Sequence, residues 1–157
     1  MVVKSSDTAL RTTVDGLAEL KGVTFGPSSW QTISQEDIDL YARVSGDYNP
    51  IHVDPEVAAA GPFGRIVAHG YLTLGRIVPL MAEVFAVTDM GSGVNYGLDR
   101  LRFPAPVPVD SRIRLLGEIA DVQPIPGGQQ VHVTVTFEVE GSSKPACVVQ
   151  QVLRYYK

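Results

Sequence analysis

Between Ser45 and Gly70 the chain reads SGDYNPIHVDPEVAAAGPFGRIVAHG. This stretch holds two of the three histidines, His52 and His69, and sets the carboxylate of Asp47 five positions before the imidazole of His52. A carboxylate and an imidazole over one water molecule can take a proton from it and deliver another. His52 suits base work because an unperturbed imidazole titrates at about 6.5. The stretch ends at Gly70, where an apolar run with helical character begins. Amides of a first helical turn have no intrahelical acceptor and carry partial positive charge, so they can meet an oxyanion. Asp47 and His52 therefore read as an acid–base pair, with the backbone at Gly70 as the oxyanion binder.

Plainer roles exist for the same residues. Asp47 alone fits the turn that follows a helix, and His52 alone fits a loop histidine bonded to backbone. Asp47-Tyr48-Asn49 opens like a calcium loop, but the Gly and the terminal Glu are missing at the required offsets, so no metal is expected. His69 reads as structural, bonding loop carbonyls. His132 falls on the polar phase of a strand and reads as solvated. Tyr41 reads as core, and Tyr48 as a residue bordering the pocket. Arg65, Arg100 and Arg102 are surface charges or partners for phosphates. Cys147 reads as a small buried apolar residue, since nothing beside it would lower its pKa.

The flanking elements must position these groups. Residues 1–11 read as a loose tail, followed by a short helix around Val14, Leu17 and Leu20 that ends near Gly22. Phe25, Trp30 and Ile33 around Gly26-Pro27 read as a turn into a strand. Ser34 can cap a helix whose first turn holds Glu36 and Asp37, and Gly46 suits its end. Residues 47–69 read as irregular, with Asp54 and Pro55 starting one short helix. Residues 70–86 read as one long buried helix with almost no polar face, bent at Pro79. The pattern then changes to period two. Val94, Tyr96 and Leu98 share one phase, Leu101 and Phe103 the other, so a bulge is expected at Asp99-Arg100. Strands follow over Ile113–Ile119, Val131–Val139 and Ala146–Tyr155, with a loop over 124–128. Short turns predict antiparallel neighbours. A curved antiparallel sheet wrapped around a central apolar helix is the α+β hot-dog fold. Its uncovered sheet edge predicts a homodimer.

The bulk numbers fit this reading. At 157 residues the chain suits one domain with a real core, and 45% hydrophobic with 19% charged residues is ordinary for a soluble protein. A net charge of −4 gives no broad attraction to nucleic acid or anionic membrane. The lone cysteine excludes an internal disulfide and suits a reducing, cytoplasmic setting. The N-terminal residues are too polar for a signal peptide. Arg76 and Glu83 interrupt the apolar run from Gly70, so membrane insertion is not expected.

Gly46-Asp47-x-Asn49-Pro50-Ile51-His52, preceded by Tyr41 and Ser45, resembles the signature of MaoC-like (R)-specific enoyl-CoA hydratases, the hydratase 2 family. Ala68-His69-Gly70, Asn95-Tyr96-Gly97-Leu98 and the Arg102–Val107 segment are also similar to this family. The resemblance covers residues 25–157 as a single domain and leaves residues 1–24 as an N-terminal tail and short helix. It implies that Asp47 and His52 are the catalytic pair. It also implies that Gly70 N–H takes the thioester oxygen and that Asn49 helps hold the pair. Tyr48, Arg65 and Arg102 are candidate substrate contacts.

The implied activity is reversible addition of water to a trans-2-enoyl-CoA, giving the (3R)-3-hydroxyacyl-CoA. Coenzyme A enters as part of the substrate, and no separate cofactor is expected. Both groups lie on one stretch and approach from one side, which predicts syn addition. Two other activities suit the same fold: an acyl-CoA thioesterase, and a non-catalytic acyl-thioester-binding subunit.

Overall fold

The computed structural model describes residues 9–157. Of the loose tail expected over residues 1–11, residues 1–8 lie outside the described residues. The rest of it is not loose. Strand β1 (Leu10–Thr12) pairs in parallel with β4 (Phe85–Val87), and a 3₁₀ turn at Asp15–Glu19 buries Leu17 in the core. Only a partner far along the chain makes residues 10–12 a strand, so no local pattern marks them.

The main sheet is antiparallel. It contains β2 (Thr24–Phe25), β3 (Gln31–Thr32), β5 (Ser92–Arg102), β6 (Arg112–Ile125), β7 (Gly128–Val139) and β8 (Cys147–Tyr156). The strand order is β2-β6-β7-β8-β5, with β3 also on β6. In β7 the alternation runs as the sequence predicts: Val131, Val133, Val135 and Phe137 are fully buried between half-buried polar residues. The expected bulge is present as a register shift between Leu98 and Arg100, and a second lies between Asn95 and Gly97.

Two expectations about the strands need correction. β5 is not the hairpin partner of β6; it pairs with β8 and forms one edge of the sheet. The connector between β5 and β6 is rich in proline, which offers no N–H to a ladder. It is tied instead to residues 66–68: Ala68 N–H donates to Val107 O at 2.8 Å, and Val109 N–H to Ile66 O at 3.0 Å. The loop expected over 124–128 is also shorter. β6 continues through Pro124 to Ile125, which pairs with Gly128 across a tight turn where Gly127 takes a φ of 78°. Proline is tolerated at such a strand end.

The single buried helix expected over residues 70–86 is two helices, α4 (Gly70–Gly75) and α5 (Ile77–Val84), followed by β4. The sequence places the bend at Pro79, and the break falls one turn earlier. Pro79 has no N–H for the Gly75 carbonyl and its ring crowds that group, so the ladder fails there. Arg76 N–H is shared between the carbonyls of Leu72 and Thr73, and the helical pattern resumes with Leu80 N–H to Arg76 O at 3.2 Å. Only one face is covered: Thr73, Ile77, Leu80, Met81 and Val84 are buried, whereas Tyr71 and Val78 are exposed.

α5 packs on β6, and α4 on β8. Leu80 and the inward faces of β6 and β7 share one core with no exposed surface at Ile113, Leu115 or Val133. Each such side chain contributes about 1.5–3 kcal/mol of burial free energy. An antiparallel sheet packed on one interrupted apolar helix is the hot-dog arrangement, an α+β fold.

Candidate active site

Helix α1 (Gln35–Ser45) delivers the carboxylate. It opens with a reciprocal cap: Ser34 Oγ accepts from Asp37 N–H, and the Asp37 carboxylate accepts from Ser34 N–H at 3.0 Å. It closes at Gly46, whose φ of 76° favours glycine. Asp47 follows, its N–H donating to Ser45 Oγ at 3.2 Å.

The next residues were expected to be irregular but include α2 (Pro50–Val53) and α3 (Pro55–Ala60). Asp54 caps α3 with Pro55 at its first position, as predicted. α2 was not anticipated. Asn49 Oδ1 accepts from Ile51 N–H at 3.3 Å, and Pro50 pre-sets the first helical φ. Asn49 N–H also donates to Asp47 Oδ1 at 3.2 Å. The Asn49 side chain thus starts the turn that carries His52, while the Asn49 backbone N–H holds Asp47.

His52 is buried, and its Nδ1 lies 2.6 Å from the Val67 carbonyl. A carbonyl only accepts, so Nδ1 carries the hydrogen and Nε2 of the neutral ring is bare. Burial lowers the His52 pKa below its ordinary 6.5, and the nearby His69 acts in the same direction; the Val67 bond and the Asp47 charge oppose them without winning. The ring is therefore neutral at pH 7.

His69 is buried too, and its Nε2 is 2.9 Å from the Asp47 carbonyl oxygen, the backbone bond that the sequence predicts. The sequence does not predict its stacking on His52, with ring centroids 3.8 Å apart, or its contact with Tyr41 at 4.8 Å. A carboxylate oxygen of Asp47 and one ring nitrogen from each histidine all lie within 4.8 Å of one another. The fold therefore brings Asp47 and His52 into one site.

Gly70 is the first residue of α4. Its missing side chain makes room for a neighbour within the protein: a Cβ there would sit 2.9 Å from Phe103 Cε2. Val67 joins this helix start to the pair. Its N–H donates to Ile51 O at 3.2 Å, and its carbonyl takes the His52 proton donor.

Residues 18–142 match the family described as MaoC like domain. The chain belongs to the MaoC-like domain family. It is 47% identical over 143 residues to 3-hydroxyacyl-thioester dehydratase Z of Mycobacterium tuberculosis, covering 90% of this chain and 95% of that protein. It is 36% identical over 83 residues to an (R)-specific enoyl-CoA hydratase of Rhodospirillum rubrum, covering 53% and 55%. The R-hydratase PhaJ1 of Pseudomonas aeruginosa superposes with a TM-score of 0.73 at 25% identity, over 90% of this chain and 85% of that one. Dehydratases and hydratases are thus among the named relatives.

The other predicted residues of this MaoC-like domain have contacts of their own. Tyr48 is exposed beside Asp47 in sequence. Arg65 donates to Val109 O at 3.2 Å, and Arg102 to Leu101 O at 2.7 Å; neither bond reaches Asp47, His52 or Gly70. Tyr41, expected in the core, is half-buried against His69. His132, expected to be solvated, is half-buried with Nδ1 3.2 Å from the Asp99 carboxylate. Cys147 is fully buried, and burial pushes its thiol up to about 12, which suits packing and not attack. Sequence reasoning missed Val67, which acts through a backbone carbonyl and leaves no residue signature. It also missed Phe103, whose proximity to Gly70 spans a long sequence separation.

Proposed function

We propose that this chain is a hydro-lyase adding water reversibly to a trans-2-enoyl thioester, coenzyme A-linked, to give the (3R)-3-hydroxyacyl product. The observation that carries the proposal is the meeting of the Asp47 carboxylate and a His52 ring nitrogen within 4.8 Å. In the forward direction water oxygen bonds to the β-carbon. The pair takes one water proton and returns one proton to the α-carbon, so atoms and charge balance. One such acid–base group contributes about 10²–10⁴-fold. Charge that gathers on the thioester oxygen is met by the first-turn amide of Gly70; one oxyanion donor is worth about 2.7–4 kcal/mol in enzymes that use one. Asn49 is assigned to holding the pair, and Tyr48, Arg65 and Arg102 to the outer part of the substrate. The (3R) outcome and syn addition rest on the likeness to the R. rubrum enzyme and on both groups coming from one stretch. No separate cofactor enters the proposal.

We also propose that two copies pair and that residues 25–157 act as one domain in the cytoplasm. Edge strand β5 exposes Val94, Tyr96 and Leu98, an apolar edge that a second copy would cover. Among the described residues no helix is long and apolar enough to cross a membrane.

The test is crotonyl-CoA with the purified protein. Loss of the enoyl absorbance without thiol release, and an (R) product on chiral analysis, is the expected result. Thiol release would mean a thioesterase. Saturable binding with the enoyl band unchanged would mean a binding subunit. Either outcome overturns the proposal.

A further inference from the structure

His69 touches each element that carries the proposed machinery. Its Nε2 lies 2.9 Å from the Asp47 carbonyl oxygen, just past the end of α1. Its ring stacks on that of His52 in α2, with centroids 3.8 Å apart and 29° between planes. It also meets the Tyr41 ring of α1 at 4.8 Å. Its carbonyl accepts from Thr73 N–H at 3.2 Å and so starts α4. Asp47 is otherwise held within its own turn: its N–H donates to Ser45 Oγ and its carboxylate accepts from Asn49 N–H, at 3.2 Å each. The His69 bond is shorter and comes from another element.

Packing alone does not call for a histidine here. A carbonyl only accepts, so His69 Nε2 carries the hydrogen and Nδ1 of the neutral ring is bare. Nδ1 is buried, in a residue only 2% exposed, and has no hydrogen-bond partner among the described residues. Burying a polar atom unpaired destabilises the fold. A phenyl ring would stack at this position without that cost, but it has no N–H for Asp47. An amide side chain would offer the N–H without the stacking face. Histidine supplies both at this reach.

We infer that His69 is a positioning residue of the proposed hydration: its Nε2–H fixes the main chain at Asp47, and its ring fixes the plane of the His52 imidazole. The inference rests on the hydratase reading of Asp47 and His52. A displacement of about 1 Å at a reacting group can cost about 10²-fold in rate. His69 holds the groups that move protons, not the substrate. Its loss therefore shows in turnover and leaves substrate binding alone.

The experiment is steady-state hydration of crotonyl-CoA by the full chain and its variants. His69→Phe keeps a ring against His52 and removes the N–H. Its kcat should fall about 10–10²-fold with KM within about threefold of the parent. His69→Gln sets an N–H near the place of Nε2 and removes the ring, so its kcat should lie between those of the parent and His69→Phe. In an Asp47→Asn background, His69→Phe should change the residual rate by less than about threefold, because the carboxylate it positions is already gone. A loss that multiplies in full in that background marks a general structural defect and overturns the inference. So does a kcat of His69→Phe within about threefold of the parent, or a raised KM with kcat unchanged. A second measurement needs no variant to fold. Nitrogen-15 correlation spectra of the parent at about pH 8, where histidine is neutral, should show His69 as the Nε2–H tautomer; the Nδ1–H tautomer overturns the inference. A parent that never bleaches the enoyl band defeats the hydratase reading and this inference with it. Variants at the parental rate in an active parent defeat the inference alone.

Discussion

Replacing His52 with Asn and with Ala separates what the ring does chemically from what it does structurally. The Nδ1–H of His52 is the partner of the Val67 carbonyl at 2.6 Å, in a buried position. An Asn side-chain N–H₂ reaches the place of that donor but supplies nothing in place of Nε2. His52→Asn therefore loses mainly the stacking on His69, worth about 0.5–1.5 kcal/mol for an aromatic pair. His52→Ala loses that and also leaves the Val67 carbonyl unpaired, a further cost of about 1–3 kcal/mol. A chain of this size shifts its melting temperature by about 2–4 °C per kcal/mol, so the Ala variant should melt visibly below the Asn variant. If the proposed pair is catalytic, hydration should fall alike in both, by at least about 10²-fold, because both lack its imidazole. The assays are loss of the enoyl band of crotonyl-CoA and thermal melting followed by circular dichroism. An Asn variant that hydrates within tenfold of the parent would refute the assignment of His52 as a proton acceptor. So would activities that follow melting temperature across the two variants.

Acidity should reveal the same ring. Burial lowers the His52 pKa, so this proposed catalytic ring stays neutral further into acid and the acid limb of kcat/KM should have its midpoint below 6.5; a midpoint at or above 6.5 contradicts the burial argument. Stability has the matching sign: from about pH 6.5 downward the unfolded chain binds the proton first, so the His52 contribution to stability declines until the folded pKa is reached, as denaturant midpoints across that window can show. Asp47→Asn, at an exposed position with one backbone bond to its carboxylate, should change stability by less than about 0.5 kcal/mol yet cut hydration at least about 10²-fold, checked by melting and by the enoyl assay. Gly117→Ala would set a Cβ 2.1 Å from Phe25 Cζ, inside the core. It should cost about 1–3 kcal/mol or more, and an unchanged melting temperature would show that Phe25 moves freely.

Local chemistry was legible in the sequence; long-range pairing was not. Ser34, Asp37 and Gly46 bound α1 because caps act within three residues of a helix end, and the structure shows each of them in place. The alternation of β7 survives for a similar reason, since each valine answers only to its own side of the sheet. β5 was misassigned because its sequence says that it is a strand and nothing in it names β8 as its neighbour. Pro79 signalled a distortion, but the break appears at Arg76, next to the Gly75 carbonyl that loses its donor. At the site, Asp47, Asn49 and His52 stand out by type and spacing. The stacked His69 is visible only as a histidine before a glycine, and the Val67 carbonyl belongs to a residue whose side chain has no part in the contact.

The broken helix bears on the site through Arg76. Its guanidinium lies 2.5 Å from Asp37, the residue that also caps α1. Burial alone would raise the Asp37 carboxyl, but the Ser34 hydrogen bonds and the Arg76 charge outweigh it and hold the group below its ordinary value. Both partners are partly exposed, and such pairs contribute only about 0–1 kcal/mol, so the contact matters more for position than for stability. α1 runs from Asp37 toward Asp47, and α4 runs from Gly70 toward Arg76. The two helices are therefore tied at opposite ends: Arg76 to Asp37 at one, and His69 Nε2 to the Asp47 carbonyl at the other. A straight helix through residue 76 would carry that guanidinium along a different line. The proline-induced break and the placing of Asp47 beside the start of α4 are thus parts of one geometry, held by these two polar contacts and by the Tyr41 ring against His69.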